Sequence, residues 1–179
     1  MKYFLIFLLF SLSVASLADI QIVEVGNLTE SQKKAVFVFN NYGGKIGDQV
    51  VIVIGVLSSE GALLKEDIVY VAKTTREFQA SVLILETNRA LELKEALVED
   101  LDFEDLYLLV ASRKDDYLFS VEDSVTPWFL YYIMQGESVR TSFIKGNNLV
   151  NSSPCLFLPV SPIVQKDRKI ATTWAEIKR

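Results

Sequence analysis

Hydrophobic positions along the chain fall into dense runs separated by segments of a different period. Residues 49–57 (QVVIVIGVL), 81–86 (SVLILE) and 106–111 (LYLLVA) hold too few polar alternations to be half-exposed strands, so each reads as a strand buried on both faces. Between the first two, Leu64, Ile68, Val71, Ala72, Thr75 and Phe78 recur at helical spacing with charges between them, although IVYV within that stretch has strand character. Between the second and third, Ala90, Leu93, Leu97 and Leu101 form one helix face, with Thr87 placed to cap it. Strand, helix, strand, helix, strand predicts a parallel sheet, because crossovers of this kind are right-handed and set neighbouring strands parallel.

The flanks are less regular. ADIQIVEV, residues 18–25, alternates as a strand does, and a helix can start at Thr29. Residues 35–40 fit either a strand or a helix stripe of Leu28, Ser31, Ala35 and Val38, and NYGGKIGD is a loop. After RKDD the pattern suggests hairpins, with YLFSVE, PWFLYYIM, ESVRTSFI and LFLPV as strands. PWFLYYIM also suits a short helix, with Pro127 in its first turn. All four prolines lie in the last third of the chain, and residues 166–179 carry Ile170, Trp174 and Ile177 at the spacing of a small docking helix. The fold class is therefore α/β: a single domain with a mixed sheet, a parallel βαβαβ middle, antiparallel C-terminal strands and helices packed on the sheet.

The first residues change the picture by adding a compartment. One lysine precedes an apolar and small-residue run from Tyr3 to Ala18, with Ser16 and Ala18 at the positions where a signal peptidase accepts small side chains. This predicts a signal peptide over 1–18, cut between Ala18 and Asp19, and a secreted or periplasmic domain over 19–179. The run is shorter than the roughly 20 residues of a membrane helix, so no membrane span is expected after cleavage. Two Asn-x-Ser/Thr triplets, at Asn27 and Asn151, do not separate a periplasm from a eukaryotic secretory route.

Charge narrows the partners. Without Lys2, 17 basic residues stand against 23 acidic ones, a net charge of −6 that disfavours nucleic acid and anionic lipid. A lone cysteine, Cys155, cannot close an intramolecular disulfide, so stability must come from packing.

The strongest constraint on chemistry is the absence of histidine, which removes Ser-His-Asp and Cys-His catalysis and the usual zinc and copper sites. S-x-x-K spacing occurs at Ser31–Lys34 and Ser142–Lys145, but such a lysine acts as a base only when desolvated. EDLDFED, residues 99–105, lacks the glycine and the final glutamate of a calcium loop. GGKIG precedes a strand, whereas a phosphate loop follows one. No cofactor or metal is expected.

Two candidate surfaces remain. If the middle is parallel, the turns at 58–61, 86–88 and 112–116 share the carboxyl edge, where ligands of open α/β sheets bind. Ser58, Ser59, Asn88 and Arg113 could hold a small anion there; alternatively Ser58 or Ser59 only caps the following helix. Trp128, Phe129, Tyr131 and Tyr132 form an aromatic cluster that suits a protein interface or the core. The leading functional expectation is a non-catalytic binding or assembly component of an extracytoplasmic, cell-envelope complex with a protein partner. A carboxylate-dependent hydrolase using Glu60, Glu86 and Asp115, and a secreted effector or inhibitor of another protein, are the alternatives.

Overall fold

A computed structural model describes residues 19–159 except 43–45, 102, 115, 116, 118 and 121. The signal peptide and the 166–179 helix expected from sequence lie outside the described residues. In chain order the elements are β1 (Ile20–Glu24), α1 (Glu30–Asn40), β2 (Val50–Gly55), α2 (Lys65–Glu77), β3 (Val82–Thr87), α3 (Ala90–Leu97), β4 (Tyr107–Val110), α4 (Thr126–Met134), α5 (Val139–Asn147) and β5 (Cys155–Phe157). The strands form one mixed sheet in the order β1-β2-β3-β4-β5. The first four are parallel, and β5 runs antiparallel to β4. This is the expected α/β architecture.

Both faces of the sheet are covered, which is why β2 and β3 can be apolar at almost every position. Val50, Ile52, Ile54, Val82 and Ile84 face one way and pack with Phe39 of α1, Phe129 and Leu130 of α4, and Val139 of α5. Val51, Val53, Leu83 and Leu85 face the other way, onto Val71 and Ala72 of α2 and Leu93 and Leu97 of α3. The strand period of two thus sorts one run of sequence into two cores.

One crossover departs from the expected handedness. The β1–α1–β2 and β2–α2–β3 units step the same way across the sheet, yet α1 and α2 cover opposite faces. Two such connections have opposite hands, so one of them breaks the right-handed rule that governs about 98% of cases. Past β1 the chain reverses at Gly26 (φ 59°), and Asn27 bridges Val56 antiparallel. A β-carbon on Gly26 would stand 2.3 Å from the Val56 carbonyl oxygen, and one on Gly55 1.8 Å from that of Val25. Only glycine allows the two backbones to approach so closely.

Residues 35–40 are helical, because a capping box at Thr29 and Gln32 starts α1 and its buried side is Gln32, Ala35 and Phe39. Thr87 does not cap α3: it ends β3, and Arg89 holds the cap position without a side-chain bond. PWFLYYIM and ESVRTSFI are helices, not strands. Pro127 sits in the first turn of α4, and Thr126, Phe129, Leu130 and Ile133 form its buried stripe. Ser138 caps α5 by accepting from the Thr141 amide, and Gly146 brings that helix against Val125 and Phe129. Of the four expected C-terminal strands, only residues 155–157 pair with the sheet among the described residues. Among those residues, no helix is long and apolar enough to cross a membrane.

Candidate functional site

The parallel strands bring the expected turns to one edge. A cleft of about 620 Å³ opens there between the ends of β1, β2 and β3 and the first turn of α2. Ser58, Ser59 and Asn88 line it, together with Glu60, Asp67 and Arg89.

What these side chains do is mostly structural. Asn88 accepts from the Leu57 amide (2.8 Å) and donates to the Leu57 carbonyl (2.9 Å), so it adds a backbone-like rung beyond β2 and β3. The Ser58 hydroxyl accepts from the Glu60 amide and donates to the Glu60 carbonyl, both at 3.2 Å. Neither Ser58 nor Ser59 caps a helix, because α2 begins only at Lys65, with Leu64 at its cap position.

Sequence reasoning missed Arg89. Its guanidinium donates to the carbonyls of Ser58 (2.6 Å) and Gly61 (2.9 Å), and it meets the Glu92 carboxylate through Nε (2.7 Å) and Nη2 (2.5 Å). Such a planar fork suits several simultaneous partners. The side chain is only 12% exposed and straps the loop after β2 to the start of α3. The three-residue spacing from Arg89 to Glu92 was the signal for this ion pair; nothing in the sequence announced the two carbonyls 28 and 31 residues away.

Arg113 is placed elsewhere. It follows β4, its amide donates to the Ser153 carbonyl (3.2 Å), and its guanidinium bears electrostatically on Cys155. Burial pushes the Cys155 thiol up, and Arg113 partly opposes that shift. The structure therefore joins Ser58, Ser59 and Asn88 and leaves Arg113 outside the cleft. With Arg89 paired to Glu92, and Glu60 and Asp67 in the lining, the described residues give the cleft no uncommitted cation for an anion.

Beneath the same edge lies a second cluster. Glu86, next to last in β3, is fully buried on the face of α1 and α4. Tyr117 donates to its Oε1 at 2.5 Å; Ser124 (2.9 Å) and Thr126 donate to its Oε2. The Thr126 amide in turn donates to the Ser124 hydroxyl (3.1 Å). Burial raises the Glu86 carboxyl above the ordinary range, and the three hydroxyls pull the other way without cancelling it. Burial, then the Glu86 charge, push the Tyr117 phenol up as well. Adjacent Thr87 has a buried hydroxyl with no partner among the described residues.

The other candidates divide in the same manner. Lys34 is exposed instead of desolvated, while Ser142 is buried and Lys145 is held by Glu137. Glu60 is exposed at the cleft and Glu86 is enclosed outside its lining, while Asp115 lies outside the described residues. Among the described residues no metal-ligating cluster occurs. Of the aromatic group, Phe129 is core, whereas Trp128 and Tyr131 are exposed and Tyr132 packs edge-on to Tyr131 at 5.2 Å.

Comparison with known proteins finds no matching family model, no similar curated protein and no similar solved structure.

Proposed function

We propose that the protein is an exported, non-catalytic binding component of an extracytoplasmic complex, with the carboxyl-edge cleft as its contact site. The observation that supports this reading is how the polar groups around the cleft are committed. Asn88 and Arg89 are spent on the backbone of the loop after β2, and the buried Glu86 carboxyl is sealed behind Tyr117, Ser124 and Thr126. An acid, base or nucleophile has to reach its substrate to work. An open cleft whose asparagine and arginine are spent on holding its own loop suits binding better than turnover. Export is read from residues 1–18.

The hydrolase alternative has one observation in its favour, the exposed Glu60 at the cleft. Two measurements on the native material separate the readings. Light scattering after gentle extraction from the envelope fraction should give a particle heavier than the single chain, and a panel of glycosides and phosphoesters should show no turnover. A lone single-chain species, or turnover lost in Glu60→Gln, contradicts the proposal.

A further inference from the structure

The two edges of the sheet are finished differently. β5 is three residues long and lies between Pro154 and Pro159, neither of which has an amide hydrogen to offer, so that edge is short and blunted. β1 closes the other edge with the five residues Ile20–Glu24, among them no proline, lysine or glycine. Its register against β2 runs without a bulge from Ile20↔Val50 to Glu24↔Ile54. An edge of that kind is a template for another strand.

Backbone parity says which of its groups are free. The Asp19 carbonyl accepts from the Val50 amide (2.8 Å) and the Val25 amide donates to the Ile54 carbonyl (3.0 Å), so odd-numbered residues turn their backbone toward β2. In an unbroken strand the even ones, Ile20, Ile22 and Glu24, turn theirs outward. Among the described residues only the Gln21 side-chain amide meets these groups, donating to the Ile22 carbonyl (3.3 Å). With the cut expected before Asp19, no chain precedes β1 to cover them.

We propose that β1 pairs with β1 of a second copy of this chain, antiparallel and about a two-fold axis at Ile22. In that register Ile22 exchanges both backbone bonds with its own counterpart, and Ile20 exchanges its bonds with Glu24 across the axis, so every outward group finds a partner. Glu24 then stands opposite an isoleucine, which avoids a like-charge pair. Ile20 and Ile22 lie on the face beneath α1, where the half-buried Ile22 gains an apolar neighbour. The same axis sets both copies of α1 on one face of the joined sheet. α1 is the helix that packs on β1, and it leaves Phe37 (73% exposed) and Val38 (43%) uncovered. Because β5 is blunted, the assembly closes at two copies instead of growing into a filament. The pairing stands independently of what the cleft binds: two copies alone account for it, and any further mass belongs to the cleft's partner.

Sedimentation of the exported protein, purified free of other chains, tests this. The wild type should be a dimer at micromolar concentration. Ile22→Pro removes an outward amide and breaks no bond to β2, so it should keep the circular dichroism of the wild type and weaken the dimer about tenfold or more. A wild-type monomer at that concentration, or an equally tight dimer in Ile22→Pro, overturns the proposal. Should that variant not fold, the register decides. In a Cys155→Ser background, Ile22→Cys should give a disulfide-linked dimer under mild oxidation, because directly opposed residues stand about 5.5 Å apart between Cα atoms, within the reach of a disulfide. Glu24→Cys, displaced from its counterpart by four residues, roughly 13 Å along the strand, should not. Equal crosslinking at both positions, or none at Ile22→Cys, overturns the pairing.

Discussion

At the scale of single residues, the buried Glu86 ties stability to pH. Its folded form holds a proton more tightly than the unfolded chain, whose carboxyl has the ordinary value of 4.5. Above that pH the unfolded state binds fewer protons than the native state, so stability falls as pH rises and levels off only past the raised native value. The contribution is complete below about pH 4.5 and is lost through that window, with a slope near 1.4 kcal/mol per pH unit at its steepest. Urea unfolding across this range should show wild type losing ground to Glu86→Gln as pH rises. Parallel curves for the two proteins would mean that Glu86 ionises normally in the fold. Little of this was visible beforehand. Glu86 could be read as the end of a buried run, but its partners lie 31 to 40 residues away, and no local pattern joins them. Asn88 was singled out as a ligand contact, yet both ends of its amide are used by Leu57.

At the scale of elements, legibility followed burial. β2, β3 and β4 were plain because a strand covered on both faces is an unbroken apolar run. The helices of the middle were plain because each has one wet face. α4 was ambiguous because TPWFLYYIM is apolar nearly all round, which erases the polar stripe that marks a helix. α5 was misread as a strand because its buried side uses small residues, Ser142 and Gly146, that do not register as hydrophobic. α1 was decided by its capping box, where the Gln32 amide donates to the Thr29 hydroxyl and the Thr29 amide donates to the Gln32 side chain. Thr29→Ala should lower stability by about 1 kcal/mol in thermal or urea unfolding, and Thr29→Ser should restore most of it. No loss in the alanine variant would show that α1 is held by Ala35 and Phe39 packing alone.

At the scale of the molecule, the two-sided sheet explains why one cleft sits where it does. Parallel strands send every βα turn to the carboxyl edge, and the ends of β1, β2 and β3 meet α2 there. The same layout places Arg89 where it can strap the loop after β2 and places Arg113 beyond β4, next to Cys155. Sequence spacing could foresee the shared edge but not which strand end each cation would serve. The binding reading rests on this division of labour between an open cleft and a sealed carboxyl. It is tested most directly by a photo-crosslinking residue at Ser59 or Ala62, both exposed in the cleft lining, with Glu95 on α3 as the control site. In intact cells the cleft positions should each give the same discrete adduct and the control none, with the adduct removed by Leu63→Arg in the cleft wall. Equal labelling from all three positions, or none from the cleft, would contradict the account.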